Sequence, residues 1–256
     1  MNQNYFFEGY RQKELPIRDF KGKSPLFYQD INLMGCVFTA DLKTIQKYLP
    51  SEDYYPLSIL PGRGLAAIHC MEYKQSDIGP YNEVSLSFAV QYGKKTHHTF
   101  IHLLKSTLKS DYYGFIKELP VTTDVALYGG IDYFNYPKYL ADITFRETAT
   151  HRVCTLRDKE SSELILEFEA RKIKIRSKSN IMTLNSYPIK DGRPLHGKVF
   201  IHQKEFGVSF LVPRVSLRLG DHPKSQPFHE LNLGKQIQFL YSPSCEGILF
   251  EPTLIE

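Results

Sequence analysis

The chain has 256 residues, of which 42% are hydrophobic and 23% charged, a composition typical of one large or two small globular domains. Its formal net charge of +4 is spread along the chain, which argues against a nucleic-acid-binding protein. Two locally basic stretches, Lys94–His98 and Arg171–Lys178, are interpreted as solvated strand faces.

The first predicted elements are a helix and two strands. Asp41–Leu49 is predicted to be helical, starting after Thr39 as a candidate N-cap and stopping at Pro50. Glu83–Gln91 alternates as a strand does, and its apolar side chains on one face are Val84, Leu86, Phe88 and Val90. Thr99–Leu104 is a second candidate strand.

A second helix is predicted at Pro120–Tyr133. Val121, Ala126 and Leu127 would face the core of the protein. The Gly129-Gly130 pair is expected to weaken or end this helix, because glycine costs about 1 kcal/mol relative to alanine inside a helix.

Strand patterns dominate the rest of the chain. In Leu164–Ile175, apolar residues alternate with Glu167, Glu169 and Arg171. Further candidate strands are Lys198–His202, Glu205–Pro213, Ile237–Tyr241 and Ile248–Glu251. Many short strands separated by turn residues predict a mainly β barrel or sandwich. No linker or repeat divides the chain, so a single domain over residues 1–256 is expected.

The cysteines and the apolar runs indicate the compartment. Cys36, Cys70, Cys154 and Cys245 lie far apart in the sequence and form no C-x-x-C pair, which favours free thiols. The first twenty residues lack a secretory apolar segment, and no apolar run approaches the roughly 20 residues that span a bilayer. The sequence therefore predicts a soluble, cytoplasmic protein that is not associated with a membrane.

Several standard chemistries have no motif in this sequence. It contains no G-x-S-x-G elbow, no phosphate-binding glycine loop and no H-E-x-x-H. His97 and His98 would point to opposite faces of a strand, so they and His102 are interpreted as solvated or hydrogen-bonded histidines. His69 beside Cys70 is not interpreted as a thiolate pair, because neighbours on a strand diverge. Neither a metal nor a cofactor is expected.

The segment Val125–Asp142 contains a lysine in an unusual setting. Its glycine pair permits a close backbone approach or a positive φ angle, and Tyr136-Pro137 fixes an extended backbone just before Lys138. Aromatic residues surround this lysine in sequence. By composition alone a lysine is most often a solvated surface group, and the aromatic setting raises the odds of burial only modestly.

Five segments together resemble the acetoacetate decarboxylase family. The decapeptide G-G-x(5)-Y-P-K at Gly129–Lys138 is similar to the family's G-R-E-x(3)-Y/F-P-K-K signature, and Gly79–Glu83 (GPYNE) is similar to its Y-x-E segment. Three further segments match in order along the chain: Asp41–Pro50, Asn185–Pro194 and Ser216–His222.

The resemblance implies a fold and a reaction. The fold would be mainly β, an antiparallel barrel or cone with flanking strands and a few helices, and its pocket would lie inside the barrel with Lys138 at the base. In the family's known mechanism a desolvated, neutral lysine forms an iminium with a small β-keto acid such as acetoacetate, which then loses CO₂ and leaves a ketone. A free lysine has a pKa of about 10.4, so lowering it to about 6–7 takes roughly 5 kcal/mol.

By the same resemblance, Lys138 would be the nucleophile and Glu83 would orient the substrate or move protons. Tyr81, Tyr139 and Arg63 are the expected pocket residues. No cofactor would be needed, a small keto acid would be the partner, and the protein would be a homo-oligomer. Without the resemblance, Glu83 reads as an exposed strand-edge carboxylate, and the two tyrosines read as packing aromatics.

The sequence also departs from the family's pattern. Tyr139 stands where the second lysine of the signature is expected, and Ile131 stands where an arginine is expected. By an ungapped count, Ile31 falls near the carboxylate-binding arginine and Ile68 near a second glutamate, with Glu72 four residues on. Arg18 or Arg63 is a candidate for the missing positive charge.

Two other functions therefore remain open. The same iminium would support aldol or dehydration chemistry on a larger keto acid, without release of CO₂. A barrel that binds a small carbonyl or apolar ligand without turning it over is the third hypothesis. A trapped covalent adduct on Lys138 would separate both enzymes from the binding protein.

Overall fold

The computed structural model describes residues 5–94, 99–175 and 179–255, and for residue 100 it describes the backbone alone. The first strands are β1 (Lys13–Ile17), β2 (Phe20–Ser24), β3 (Leu26–Asp41), β4 (Tyr54–Pro56), β5 (Ser58–Leu60), β6 (Arg63–Ser76), β7 (Tyr81–Tyr92) and β8 (Asp111–Val121). The later strands are β9 (Lys138–Glu147), β10 (His151–Asp158), β11 (Leu164–Arg171), β12 (Asn180–Ser186), β13 (Ile189–Lys190), β14 (Arg193–Phe210), β15 (Val215–Leu219) and β16 (Gln236–Leu254).

Short helices connect these strands. They are α1 (Leu42–Tyr48), α2 (Thr99–Lys109), α3 (Asp124–Asp132), a 3₁₀ turn (Pro223–Ser225) and α4 (Gln226–Glu230). As predicted, the fold is mainly β with a few helices.

Seven strands close into a barrel. Their order is β8-β12-β14-β16-β3-β6-β7, and the pairing of β7 with β8 completes the ring. The prediction of a β barrel is therefore confirmed. The neighbours in this ring are antiparallel except for β8 and β12, which run parallel. Closure leaves no free strand edge around the ring and encloses its interior.

A second layer of strands covers one side of the barrel. β9 pairs in parallel with β8, and β10, β11 and β15 follow in order, forming a wing that continues the sheet. Apolar side chains of this wing, such as Ile143, Leu156 and Phe168, share one core with residues on the outer face of the barrel, such as Ile68 and Leu86. Both faces of β6 and β7 are therefore covered by protein.

This layering decides which face of β7 lines the barrel. The predicted apolar face, with Val84, Leu86, Phe88 and Val90, is completely buried and packs in the core shared with the wing. The alternate side chains, which begin with Glu83, line the inside of the barrel. The strand was predicted correctly, and its more polar face is the one that lines the barrel cavity.

Two predicted helices differ from the observed ones at their starts. The helix predicted at Asp41–Leu49 is α1, but its N-cap is Asp41, whose carboxylate accepts a 2.8 Å hydrogen bond from the Thr44 amide. Thr39, the predicted cap, instead accepts from the Lys235 amide. The helix predicted at Pro120–Tyr133 is α3 and begins four residues late, because its first residues extend β8.

Other strand predictions were wrong in type or extent. Thr99–Leu104 is part of helix α2, since a short apolar run does not distinguish a strand from a helix. The strand predicted at Leu164–Ile175 ends at Arg171. The four predicted C-terminal strands are two long ones, β14 and β16, in which shifts of register occur where the sequence pattern breaks.

The cysteines and basic stretches complete the comparison. All four cysteines are buried and free, as predicted. Residues 95–98 and 176–178 of the two basic stretches, including His97 and His98, lie outside the described residues. His102 lies on α2 and is hydrogen-bonded to Gln91. Within the described part of the chain, no helix has the length and apolar character needed to cross a membrane. A cytoplasmic location stays a prediction.

Candidate active site

Helix α3 and strand β9 together hold Lys138. After α3, the Tyr136 amide donates to the Gly130 carbonyl at 3.0 Å, and Asn135 takes a left-handed conformation with φ of 55°. The chain then enters β9 at Lys138, which pairs with Leu119 of β8. This register places Lys138 beside the end of the barrel where β7 begins.

The glycine pair of α3 makes room for the lysine. The helix continues through both glycines and ends at Asp132, so the pair does not end it at once; that the glycines weaken the helix, the other expectation, stays a prediction. A Cβ atom on Gly130 would overlap the Cδ and Cε atoms of Lys138, whereas one on Gly129 would lie 3.1 Å from the Ile17 side chain. Gly130 therefore permits a close approach of the lysine stem to the helix backbone.

Lys138 and Glu83 form a buried ion pair. The Lys138 Nζ donates to Glu83 Oε2 at 2.7 Å, and each side chain is 7% exposed. The Tyr73 hydroxyl donates to the other carboxylate oxygen, Oε1, at 3.1 Å. Because burying two charges is costly, the pair depends on these short contacts and on its hydrogen-bonded tyrosine.

A cluster of three tyrosines supports the ion pair. The Tyr73 ring stacks between Tyr28 and Tyr81, with centroids 4.5 and 4.4 Å away, and the Tyr81 hydroxyl donates to the Tyr28 hydroxyl at 3.2 Å. Burial raises the pKa of Tyr73 and of Tyr81 well above that of a free phenol. Tyr73 is therefore a neutral hydrogen-bond donor to Glu83 at neutral pH.

A cavity of about 220 Å³ fills the barrel interior next to the ion pair. Lys138 and Glu83 form part of its wall, and much of the remaining wall is apolar. Examples of the apolar lining are Ile31, Leu33, Val37, Met71, Ile201 and Leu249. The cavity thus combines one buried amine with a predominantly hydrocarbon surface.

The structure brings together three of the predicted site residues. Lys138 and Glu83 are in direct contact, and the Lys138 Nζ lies 5.6 Å from the centroid of the Tyr81 ring. Tyr81 is not part of the main cavity wall; it borders a smaller void on the α3 side of Lys138. Tyr81 therefore lies near Lys138 on the side that faces helix α3.

Tyr139 and Arg63 are placed elsewhere, and these pocket predictions are corrected. Tyr139 follows Lys138 on the same strand, so its side chain points to the other face, where its ring lies 4.7 Å from Lys224 Nζ. Arg63 donates to the carbonyls of Thr39 and Asn232 at 3.0 and 2.6 Å, away from the cavity.

The structure also shows which side chains stand where the resemblance implies an arginine and a second glutamate. Ile31 lines the cavity at the place where the resemblance implies an arginine, and Arg18 is paired with Asp132 outside it. Ile68 packs in the core outside the barrel, and Glu72 binds Arg152. Among the described residues, none of those lining the cavity is an arginine.

His69 is a cavity residue that sequence reasoning missed. It lies on β6 opposite Ser85, whose hydroxyl is 3.4 Å from His69 Nδ1, and a Cβ on the neighbouring Gly35 would overlap the imidazole. Desolvation inside the barrel lowers the pKa of His69 to about 4, so the ring is neutral at pH 7. The available signal was strand parity, because pairing β6 with β7 places His69 on the same face as Glu83.

Comparison with known proteins identifies the family. The sequence model of the acetoacetate decarboxylase (ADC) family matches residues 14–245. The chain belongs to the acetoacetate decarboxylase family. A search of curated protein sequences finds no match.

Solved structures agree in fold. An acetoacetate decarboxylase from Legionella pneumophila subsp. pneumophila str. Philadelphia 1 superposes with a TM-score of 0.64 at 15% identity, covering 91% of this chain and 87% of that one. The enduracididine biosynthesis enzyme MppR, solved with pyruvate, gives a TM-score of 0.61 at 11% identity and 90% coverage of both chains. At identities of 15% and 11%, these two superpositions show a shared fold and nothing further.

The close approach at Gly130 generates a prediction. Gly130→Ala should displace the Lys138 amine from Glu83 and lower covalent trapping of Lys138 at least tenfold, while keeping the helix folded, because alanine favours helix. Intact-mass analysis after borohydride reduction with a carbonyl substrate measures this. Gly129→Ala is the matched control, since its Cβ meets only the end of the Ile17 side chain. Equal trapping in the two variants would contradict the prediction.

The buried imidazole generates a second prediction. The pKa of His69 is about 4 when folded and about 6.5 when unfolded, so the unfolded chain binds the proton first as pH falls. The neutral ring therefore costs stability below pH 6.5, by about 2 kcal/mol at pH 5. Urea unfolding of wild type and His69→Gln should show their stability difference shifting by this amount between pH 7 and pH 5.

The stability difference between these two proteins should stay constant between pH 7.5 and pH 8.5, where the imidazole is neutral in both states, and this serves as the internal control. A difference that does not change between pH 7 and pH 5 would show that the imidazole is not desolvated.

Proposed function

We propose that this family member is a Schiff-base enzyme that decarboxylates a β-keto acid, with Lys138 as the nucleophile. The observation that carries the proposal is the buried Lys138–Glu83 pair, joined at 2.7 Å, in the wall of a mostly apolar cavity. A lysine must lose its ammonium proton before it forms a Schiff base; a nearby base such as Glu83 can accept that proton, and a site that excludes bulk water favours the neutral amine.

The reaction begins with a proton transfer. Glu83 accepts a proton from Lys138 along their hydrogen bond, which leaves a neutral amine beside a neutral carboxyl group. The amine attacks the ketone carbon of the substrate, and the carbinolamine loses water to give an iminium. The protonated Glu83 is placed to donate to the departing hydroxyl.

Loss of CO₂ then uses the iminium as an electron sink. The bond between the α-carbon and the carboxylate breaks, its electron pair forms an enamine, and the nitrogen becomes neutral. This step turns a carboxylate and an iminium into neutral products, so an apolar cavity wall favours it over the charged starting state. Protonation of the enamine carbon and hydrolysis of the new iminium release the ketone and restore the amine.

One observation favours a second candidate from the same intermediate. Because Ile31 occupies the place of the implied arginine, the cavity offers no guanidinium to a substrate carboxylate among its described residues. Aldol or dehydration chemistry on a larger keto acid would use the same iminium without releasing CO₂. The fold accommodates such a ligand in a relative, since MppR was solved with a condensation product of pyruvate and imidazole 4-carboxaldehyde.

Borohydride trapping near pH 6 tests the proposal. Wild-type protein incubated with acetoacetate or a panel of keto acids should give a reduced adduct that maps to Lys138, with CO₂ released in parallel. Lys138→Ala should give no adduct and no turnover, and Glu83→Gln should lower turnover by roughly 10²–10⁴-fold. Lys159→Ala is the control that should behave as wild type, because it removes an exposed lysine that directly follows strand β10 of the wing.

Each outcome selects one function. An adduct on Lys138 without CO₂ would favour the aldol or dehydration reaction. A full panel without any adduct would refute Schiff-base chemistry and favour a barrel that binds ligands without turnover. Assembly into a homo-oligomer stays a prediction, which sedimentation of the wild-type protein would test.

A further inference from the structure

The cavity extends well beyond the amine along the barrel strands. Cavity-lining residues of β7 run from Glu83 to Ala89, which are six residues apart and therefore span about 20 Å of strand. Paired residues on β6 continue the same wall, from Met71 opposite Glu83 to Ala67 opposite Ser87. A short acid bound at Lys138 would occupy only the first part of this space.

The far part of the cavity is suited to hydrocarbon. Val37 of β3, Leu65 and Ala67 of β6 and Ala89 of β7 line it, whereas Leu33, Ile201 and Leu249 pack in the buried cluster with Tyr73 and Tyr81 at the Lys138 end. The ionised groups in the described wall are Lys138 and Glu83, which compensate each other at one end. His69 lies between the two parts and is neutral.

A charged substituent would be disfavoured in the far part, whose polar lining consists of neutral groups such as Ser87, Tyr113 and Asn185; Tyr113 and Asn185 are already hydrogen-bonded to Asp111. Burying a polar group without a hydrogen-bond partner costs roughly 1–3 kcal/mol, and an unpaired charge costs far more. Each buried methylene group contributes about 0.8 kcal/mol instead. The wall therefore discriminates in favour of an alkyl chain.

We propose that the substrate is a β-keto acid with an unbranched alkyl chain, whose ketone lies at Lys138 and whose chain extends towards Val37 and Ala67. This inference rests on the proposed function for the reaction at Lys138, but the alkyl-binding part of the cavity stands on its own geometry. Breaking the bond to the carboxylate releases CO₂, and a proton takes its place, so the product is the corresponding methyl ketone.

Binding of the alkyl chain is measured without the reaction. The double variant Lys138→Met/Glu83→Gln cannot form an imine and leaves no unpaired charge in the cavity. Calorimetric titration uses the methyl ketones from 2-butanone to 2-decanone. Their affinity should rise about fourfold per methylene until the cavity is filled. Because the double variant has to fold for this test, the same ketones are titrated into wild-type protein, where the slope per methylene should be the same.

Turnover tests the complete proposal. Wild-type protein should decarboxylate the β-keto acids 3-oxooctanoate and 3-oxodecanoate with a higher kcat/KM than acetoacetate. The increase should be about fourfold per methylene over the first additions. Ala67→Leu adds bulk to the cavity wall and should lower the ratio of long-chain to short-chain kcat/KM at least tenfold. Ala149→Leu makes the same change at an exposed turn and should leave the ratio unchanged.

The two proposals fail in different ways. An affinity that does not rise with chain length overturns the inference about the alkyl chain, whether or not Lys138 forms an adduct. A steep dependence on chain length without any reducible adduct keeps the alkyl site and overturns the Schiff-base function. Equal ratios in Ala67→Leu and wild type would also overturn the assigned path of the chain.

Discussion

The buried ion pair between Lys138 and Glu83 is the constraint on which the site depends. The Lys138 and Glu83 side chains are each 7% exposed and lose most of their hydration. Hydrogen bonds and ion pairing within the protein must offset this desolvation cost. The structure does so with the 2.7 Å hydrogen bond between them and with the Tyr73 hydroxyl on the second carboxylate oxygen. Removing either partner alone would leave an uncompensated charge in an apolar barrel.

Several features of the fold hold the Lys138 and Glu83 side chains in position. Gly130 lets the lysine stem lie against helix α3, and the stacked tyrosines fix the position of the glutamate. The parallel pairing of β8 with β9 joins the lysine to the barrel even though β9 belongs to the wing. The lysine and the glutamate thus come from different layers of one continuous sheet, and the pair is formed only when both layers are in place.

The wing also explains how a barrel of this size keeps an open interior. The large apolar side chains of β7 pack outward against the wing, where they form the main core. Smaller side chains such as Ser85, Ser87 and Ala89 are left to face inward. Part of the interior is packed by a second buried cluster that includes Ile31, Leu33 and Ile201, and a cavity of about 220 Å³ remains beside it for a ligand.

Local sequence patterns determined the mainly β character, the positions of β7, β11, β14 and β16, helix α1 and, through the ordered motifs, the family and the candidate lysine. Only the tertiary structure decided which face of each strand meets the cavity. Where both faces of a strand are buried, alternation of apolar residues identifies the strand but not the inner side. For this reason Tyr139 was assigned wrongly to the pocket, and His69 was missed although it shares the inner face with Glu83. Arg63 was proposed for its charge alone, and the structure binds it to the Thr39 and Asn232 carbonyls instead.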